Sequence, residues 1–150
     1  MYTQYHISMT REALAEFFSQ SALEIIIQAN ILQDNLAGQI GHPEYHYDDC
    51  AFRAGDTYVL ELRNDIPIAI KSVDRTTAWQ SFGKLTHAAQ DYYSHSNYIN
   101  LWADQIGNAN KSSITAGEVL IPSIMEDPRL VSGRFYAPWE LITFMPWIGR

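Results

Sequence analysis

Apolar residues recur along most of this chain at intervals of three and four, the period of a helix packed on one side. Leu14, Phe18, Ser21, Ile25, Ala29, Leu32 and Leu36 trace one such stripe. The stripe predicts a single amphipathic helix capped by Thr10 and running to about residue 35, with Glu12 in its first turn facing the positive end of the helix dipole. The Gly-Gln-Ile-Gly-His-Pro stretch at 38–43 breaks it. Residues 44–63 carry a mixed pattern: Tyr45 to Cys50 fits a loop or a helix start, Asp56 to Arg63 fits a helix or a strand with helix preferred, and Asn64-Asp-Ile-Pro67 signals a turn. A second long helix is expected from Asp74 to Asp104, with Phe82, Leu85, Ala89, Tyr92 and Ile99 on its packing face. A polar loop at 107–115, a short helix from Ala116 to Glu126 and an aromatic tail from Phe135 to Trp147, interrupted by Pro138 and Pro146, follow. The fold class is therefore all-α, one compact helical domain over residues 1–150.

Within the second helix, His87, Asp91 and His95 stand four residues apart. Each step of four along a helix turns only about 40° and climbs about 6 Å, so the three side chains form a ladder on one face. Histidines at this spacing are often solvated or hydrogen-bonded within a core. Three polar groups in register, away from the packing stripe, are better explained as a dedicated metal-binding edge. Imidazole and carboxylate are ordinary zinc ligands, and a carboxylate between two imidazoles can bridge two ions, one oxygen to each.

Composition narrows the class further. A chain of 150 residues, 47% hydrophobic and 18% charged, is globular and large enough to bury a core without disulfides. The net charge of −7 argues against a broad nucleic-acid or anionic-membrane footprint, although bound cations would make a local field positive. Cys50 is the single cysteine, so no intrachain disulfide or Cys-x-x-Cys site forms. It is read as a small buried apolar residue, with a thiolate ligand beside Asp49 as the alternative. No apolar run reaches the roughly 18 residues of a membrane span and no basic leader precedes one. The expected location is cytoplasmic for the chain as given, or secreted if it is a processed form. Oligomeric state has no signature in the sequence.

The run from Phe82 to Tyr98, Phe-Gly-Lys-Leu-Thr-His-Ala-Ala-Gln-Asp-Tyr-Tyr-Ser-His-Ser-Asn-Tyr, resembles the signature helix of the Het-C-like proteins. These belong with the zinc-dependent phospholipase C and single-strand nuclease superfamily. His46-Tyr-Asp48 is similar to that family's His-Phe-Asp element, and His6 to its N-terminal histidine. Asn30-x-x-x-Asp34 is similar to the end of its first helix. The resemblance implies a phospholipase C/nuclease-like helical fold and zinc-dependent phosphoester hydrolysis. It also implies that Asp34, His46, His87 and Asp91 hold one zinc, that Asp91 bridges to a second held by His6, and that His95 begins a third site. Asp48 or Asp49 would ligate, or orient His46. No histidine follows His95, leaving Asp104, Glu118, Glu126 and Asp127 as substitutes, so one or two Zn2+ ions are better supported than three.

On that reading a zinc-bound hydroxide attacks phosphorus, with Asp34 or Asp48 accepting its proton. The partner is a phosphoester small molecule or phospholipid headgroup, with nucleic acid disfavoured by charge. Tyr92, Tyr93, Tyr98 and Trp102 either line the entrance or, as aromatics at helical spacing more often do, fill the core. The competing reading is a non-catalytic helical binding module stabilised by metal around a degenerate site. Contact with lipid or a partner through the aromatic tail is a third. The absence of His-Glu-x-x-His, an adjacent His-Asp pair and paired Glu-x-x-His motifs sets aside zincin, HD-type and ferritin-like alternatives.

Overall fold

The computed structural model describes residues 2–105 and 121–134. Its regular structure is helical: α1 (Thr3–Leu14), α2 (Gln20–Ile31), α3 (Leu36–Gln39), α4 (Pro43–His46), α5 (Phe52–Lys71), α6 (Arg75–His95), α7 (Tyr98–Gln105) and α8 (Pro122–Met125), with short 3-10 turns at Leu32–Asp34 and Asp48–Cys50. The expected all-α class is what the chain adopts. Helix α6 is the central element, packed between α2 and α5, with α1 laid against α2. Gly83 permits the close approach to α2. A Cβ there would sit 2.8 Å from Ala29 Cβ and closer still to the Ile26 carbonyl.

Several boundaries differ from the expected ones. The first helix is two: α1 ends at Leu14, and Ser19 starts α2 by accepting a hydrogen bond from the Ala22 N–H. Thr10 is therefore no cap, but a buried residue inside α1. The buried face of α2 is Ala22, Leu23, Ile26, Ile27, Ala29 and Asn30, while Leu32 and Leu36 are exposed. Residues 64–67 do not turn. Burial of Leu62 and Ala69 carries α5 through them, and Pro67 is tolerated because it and Arg63, whose carbonyl it leaves without a donor, both face solvent. The second long helix stops at His95 and resumes at Tyr98. Asp74 does cap its start, accepting from Thr77 N–H at 3.0 Å. The expected loop at 107–115, most of the helix from Ala116 and the aromatic tail lie outside the described residues.

At the C-terminal end of α6, Tyr47, Tyr92, Tyr98, Leu101, Trp102 and Ile124 form an apolar cluster. Of the aromatics for which core packing was the commoner expectation and entrance lining the alternative, Tyr92, Tyr98 and Trp102 are buried. Beside them residues 131–134 run as a strap. Gly133 N–H donates to the His95 carbonyl, Asp49 N–H donates to the Gly133 carbonyl, and Asn97 N–H donates to the Val131 carbonyl. The strap steadies a turn in which Tyr47, Asp49 and Cys50 all hold left-handed backbone at φ 56°. Cys50 is exposed rather than buried, and its thiol and N–H engage Ser132, which removes it as a ligand. No described helix is long and apolar enough to cross a membrane.

Candidate metal centre

The ladder on α6 is intact but lies on the buried face of the helix, with Ala78, Ser81, Ala88 and Tyr92, rather than on a separate one. Helical spacing aims His87 Nε2 at one oxygen of Asp91, 2.9 Å away, and His95 Nε2 at the other, 3.4 Å away. The neighbouring elements bring the rest. His6 from α1 places Nε2 3.4 Å from Asp91 Oδ1 and 3.6 Å from Asp34 Oδ2. His46, at the end of α4, places Nδ1 2.9 Å from Asp91 Oδ2 and 3.0 Å from His87 Nε2. Asp34, in the turn that ends α2, directs Oδ1 towards His87 Nε2 at 3.7 Å and His46 Nδ1 at 3.9 Å. All six residues expected at a metal site therefore converge.

The outer ring nitrogens fix what the inner ones present. A carbonyl oxygen can only accept, so His46 Nε2–H donates to the Gly38 carbonyl at 3.3 Å and leaves Nδ1 as a lone pair. His87 Nδ1–H donates to Asn30 Oδ1 at 3.3 Å, and His6 Nδ1–H donates to Gln90 Oε1 at 2.6 Å. His95 Nδ1–H donates to Asp48 Oδ1 at 2.9 Å. With an acceptor behind each ring, the four inner nitrogens are turned towards two carboxylates and are available as ligands. Burial pushes the His87 pKa down, which favours its neutral form against the opposing pull of Asp91.

Ring nitrogens and carboxylates this close need a proton or a cation between them. His6 Nε2 and Asp34 Oδ2 are both buried without a hydrogen-bond partner among the described residues, and they face one another. One ligand atom from each of His6, Asp34, His87 and Asp91 falls within a 4.8 Å span. Four ligands of one tetrahedral zinc stand about 3.3 Å apart, close to the separations here. Donor chemistry, orphaned atoms and spacing thus all fit a divalent ion. His6, His46, His87 and Asp91 are sealed from solvent, while Asp34 and His95 keep side-chain exposures of 13% and 21%, so the centre opens at those two residues.

Asp48 orients His95 rather than His46, and Asp49 pairs with Arg134 on the surface, so neither is a ligand. Asp127 is engaged by Arg129, and Glu118 lies outside the described residues. His42 lies outside the cluster, paired with Glu44. Other contributors were not apparent from the sequence pattern. Gln39 Nε2 donates to Asp34 Oδ1 at 2.9 Å and Ser94 Oγ donates to Asp91 Oδ1 at 3.2 Å, each a local polar contact without a sequence signal. Gly38, which supplies the carbonyl for His46, sits where a Cβ would collide with the Gln33 carbonyl.

Residues 3–136 match the VWA7 N-terminal domain family, and the chain belongs to that family. It is similar to the human von Willebrand factor A domain-containing protein 7, 33% identical over 86 residues, covering 57% of this chain and 10% of that protein. The mouse protein of the same name is 33% identical over 82 residues, covering 55% and 9%. The chain spans about a tenth of the length of these relatives. No solved structure matches. The family match corrects the Het-C-like assignment drawn from residues 82 to 98, and the zinc-dependent phosphoester hydrolysis inferred from that assignment is withdrawn with it. The physical reason is that a His-x-x-x-Asp-x-x-x-His helix encodes how ligands are spaced, which is a property of a site's geometry and not of a reaction.

Proposed function

We propose that this domain is a divalent-metal centre with zinc as its ion. One ion is held by Asp34, His46, His87 and Asp91. A second is held by His6 with the outer oxygens of Asp34 and Asp91, with His95 at its solvent side. The observation that carries the reading is the meeting of imidazole nitrogens with buried carboxylates, each imidazole held by a hydrogen bond on the far side of its ring. An imidazole-rich set favours zinc and similar ions over magnesium and calcium, which take oxygen ligands. A bound cation would neutralise the two carboxylates and join α1, α2, α4 and α6 through their side chains, so its binding energy would add to folding energy.

The test is elemental analysis of protein purified without chelator, beside Asp91→Ala and His87→Ala. One or two zinc ions per chain are expected in the wild type, with a large loss in both variants. Equal metal content in all three would end the proposal.

A further inference from the structure

Helix α1 is held to the domain by polar groups. Of its twelve residues only His6 and Thr10 are buried. Its apolar side chains contribute little, since Tyr5 and Met9 are exposed and Ile7 and Leu14 are only partly buried. Helix α2, of the same length, buries Ala22, Leu23, Ile26, Ile27 and Ala29. We propose that the ion bound at His6 is what docks α1, so that the helix is a metal-gated element, seated when that ion is present and released when it leaves. The inference rests on the metal-centre reading and adds to it which part of the fold answers to the metal.

A twelve-residue helix is marginal by itself in water. Helix α1 has little of its own to compensate: Tyr2 supplies no side-chain cap, the first turn holds no acid, and Thr3, Ile7 and Thr10 are β-branched. Its order therefore depends on what it docks against. Thr10 Oγ1 accepts from Asn30 Nδ2 at 3.3 Å and from Gln90 Nε2 at 3.0 Å, and Arg11 pairs with Glu24 at 3.0 Å on the surface. Water replaces such neutral hydrogen bonds when the helix leaves, and an exposed ion pair contributes little.

His6 is different. Its ring is fully buried and stacked on His87 with centroids 4.3 Å apart. Its Nε2 lies 3.4 Å from Asp91 and 3.6 Å from Asp34, with no hydrogen-bond partner among the described residues. Seating an imidazole against two carboxylates is costly until a cation joins them; once one does, each ligand bond ties α1 to α6 and to the turn that ends α2. The residues assigned to the other ion, Asp34, His46, His87 and Asp91, all lie outside α1, so that ion can bind while α1 is released.

Hydrogen–deuterium exchange of the wild type, zinc-loaded and after stripping with a chelator, tests the proposal beside elemental analysis. The loaded protein should hold two ions and protect the amides of α1. The stripped protein should exchange them freely while α5 and the α7 region stay protected. With free zinc at about 100 times the dissociation constant of the His6 ion, opening of α1 should be about 100-fold rarer than without zinc. His6→Ala should hold one ion fewer and leave α1 unprotected even with zinc. Ile7→Ala trims apolar contact and leaves the ligands in place, so it should keep α1 protected when loaded.

Equal protection of α1 with and without zinc, in a protein that binds zinc, would overturn the proposal and leave the metal centre standing. Release of α1 in loaded Ile7→Ala, or full protection in loaded His6→Ala, would do the same. Loss of protection throughout the chain on stripping would also overturn it, because α1 would then not be a separate element. A wild type that binds no zinc would remove both readings.

Discussion

Helix α6 carries two interiors of opposite chemistry, one along His87 to His95 and the other around Tyr92 where the helix meets α7. The first holds His6, Asn30, His46, His87 and Asp91, none more than 1% exposed. The second holds Tyr47, Ala88, Tyr92, Tyr98, Leu101, Trp102 and Ile124. The aromatic interior rests on ring packing: Tyr92 and Tyr93 meet edge to face at 5.1 Å, as do Tyr93 and Tyr98 at 5.3 Å, while the Tyr92 hydroxyl and Trp102 Nε1 are buried without a hydrogen-bond partner among the described residues. The polar interior does not, because its ring nitrogens are aimed at carboxylates. Burial of apolar area stabilises the aromatic interior despite two unpartnered neutral polar atoms, whereas the polar interior is costly unless its charge is compensated.

The sharpest break between the two comes from removing one centre of each. Asp91→Ala should destabilise the domain by about 3–5 kcal/mol, the usual result of breaking a buried charged network, and should abolish metal binding. Trp102→Ala should have a similar effect on stability, about 3–5 kcal/mol for a large aromatic truncated in a core, yet leave metal content per folded chain unchanged. Urea unfolding with elemental analysis of the folded fraction checks both. Loss of metal in Trp102→Ala at full folding would show that the regions are one unit. A smaller effect follows from chelation. If free zinc stands at about 100 times its dissociation constant, stripping it should lower wild-type stability by about 2.7 kcal/mol, and that of Asp91→Ala hardly at all.

The two regions also differed in how far the sequence disclosed them. The ladder was legible because helical spacing is local: residues 87, 91 and 95 face one way in any regular helix. His6, Asp34 and His46 were placed through a resemblance to a different family, and the structure does bring them to the ladder. The partners behind the four histidine rings were not legible, since Gln90, Gly38, Asn30 and Asp48 reach them across separate elements. The breaks in the helices were missed for a related reason. Ser19 is a modest cap beside a periodic stripe that continues past it, and Ser96-Asn97 lacks glycine or proline. The second break is held by Val131 to Gly133, which lie far away in the chain. Conversely, Asn64 to Pro67 has the composition of a turn, but packing at Leu62 and Ala69 overrides it.

Gly83 is where the polar interior depends on backbone fit rather than on charge. Gly83→Ala should push α6 away from the Ile26 carbonyl and Ala29, at about 1–3 kcal/mol for overpacking a tight contact. Because the Gly83 carbonyl accepts from the Thr86 hydroxyl, whose oxygen accepts from the Asn30 amide beside His87, a drop in zinc affinity should accompany the change in thermal unfolding. A stable variant with native affinity would show that the helix separation has slack that the contact distances deny.

The smallest expected effect lies where the regions adjoin, at Tyr58. Its hydroxyl accepts a hydrogen bond from the buried Gln33 amide at 2.6 Å, and its ring stacks on Tyr45 at 4.5 Å. Burial pushes the phenol up to about 12, with Tyr45 and Glu44 adding to the shift and the Gln33 hydrogen bond opposing it. In the unfolded chain the phenol ionises near its ordinary value of about 10, so as pH rises the unfolded state loses its proton first. The stabilising contribution is full below about pH 10 and is lost as pH approaches 12. Tyr92, also raised to about 12, acts in the same window from within the aromatic interior. Wild-type stability should therefore fall across that interval, and Tyr58→Phe should fall less steeply, while Tyr92 sustains the remaining slope together with Tyr47 and Tyr93, whose phenols burial also pushes up. Chemical denaturation at several alkaline pH values resolves the difference. An identical slope in Tyr58→Phe would mean that alkaline loss belongs to the aromatic interior alone.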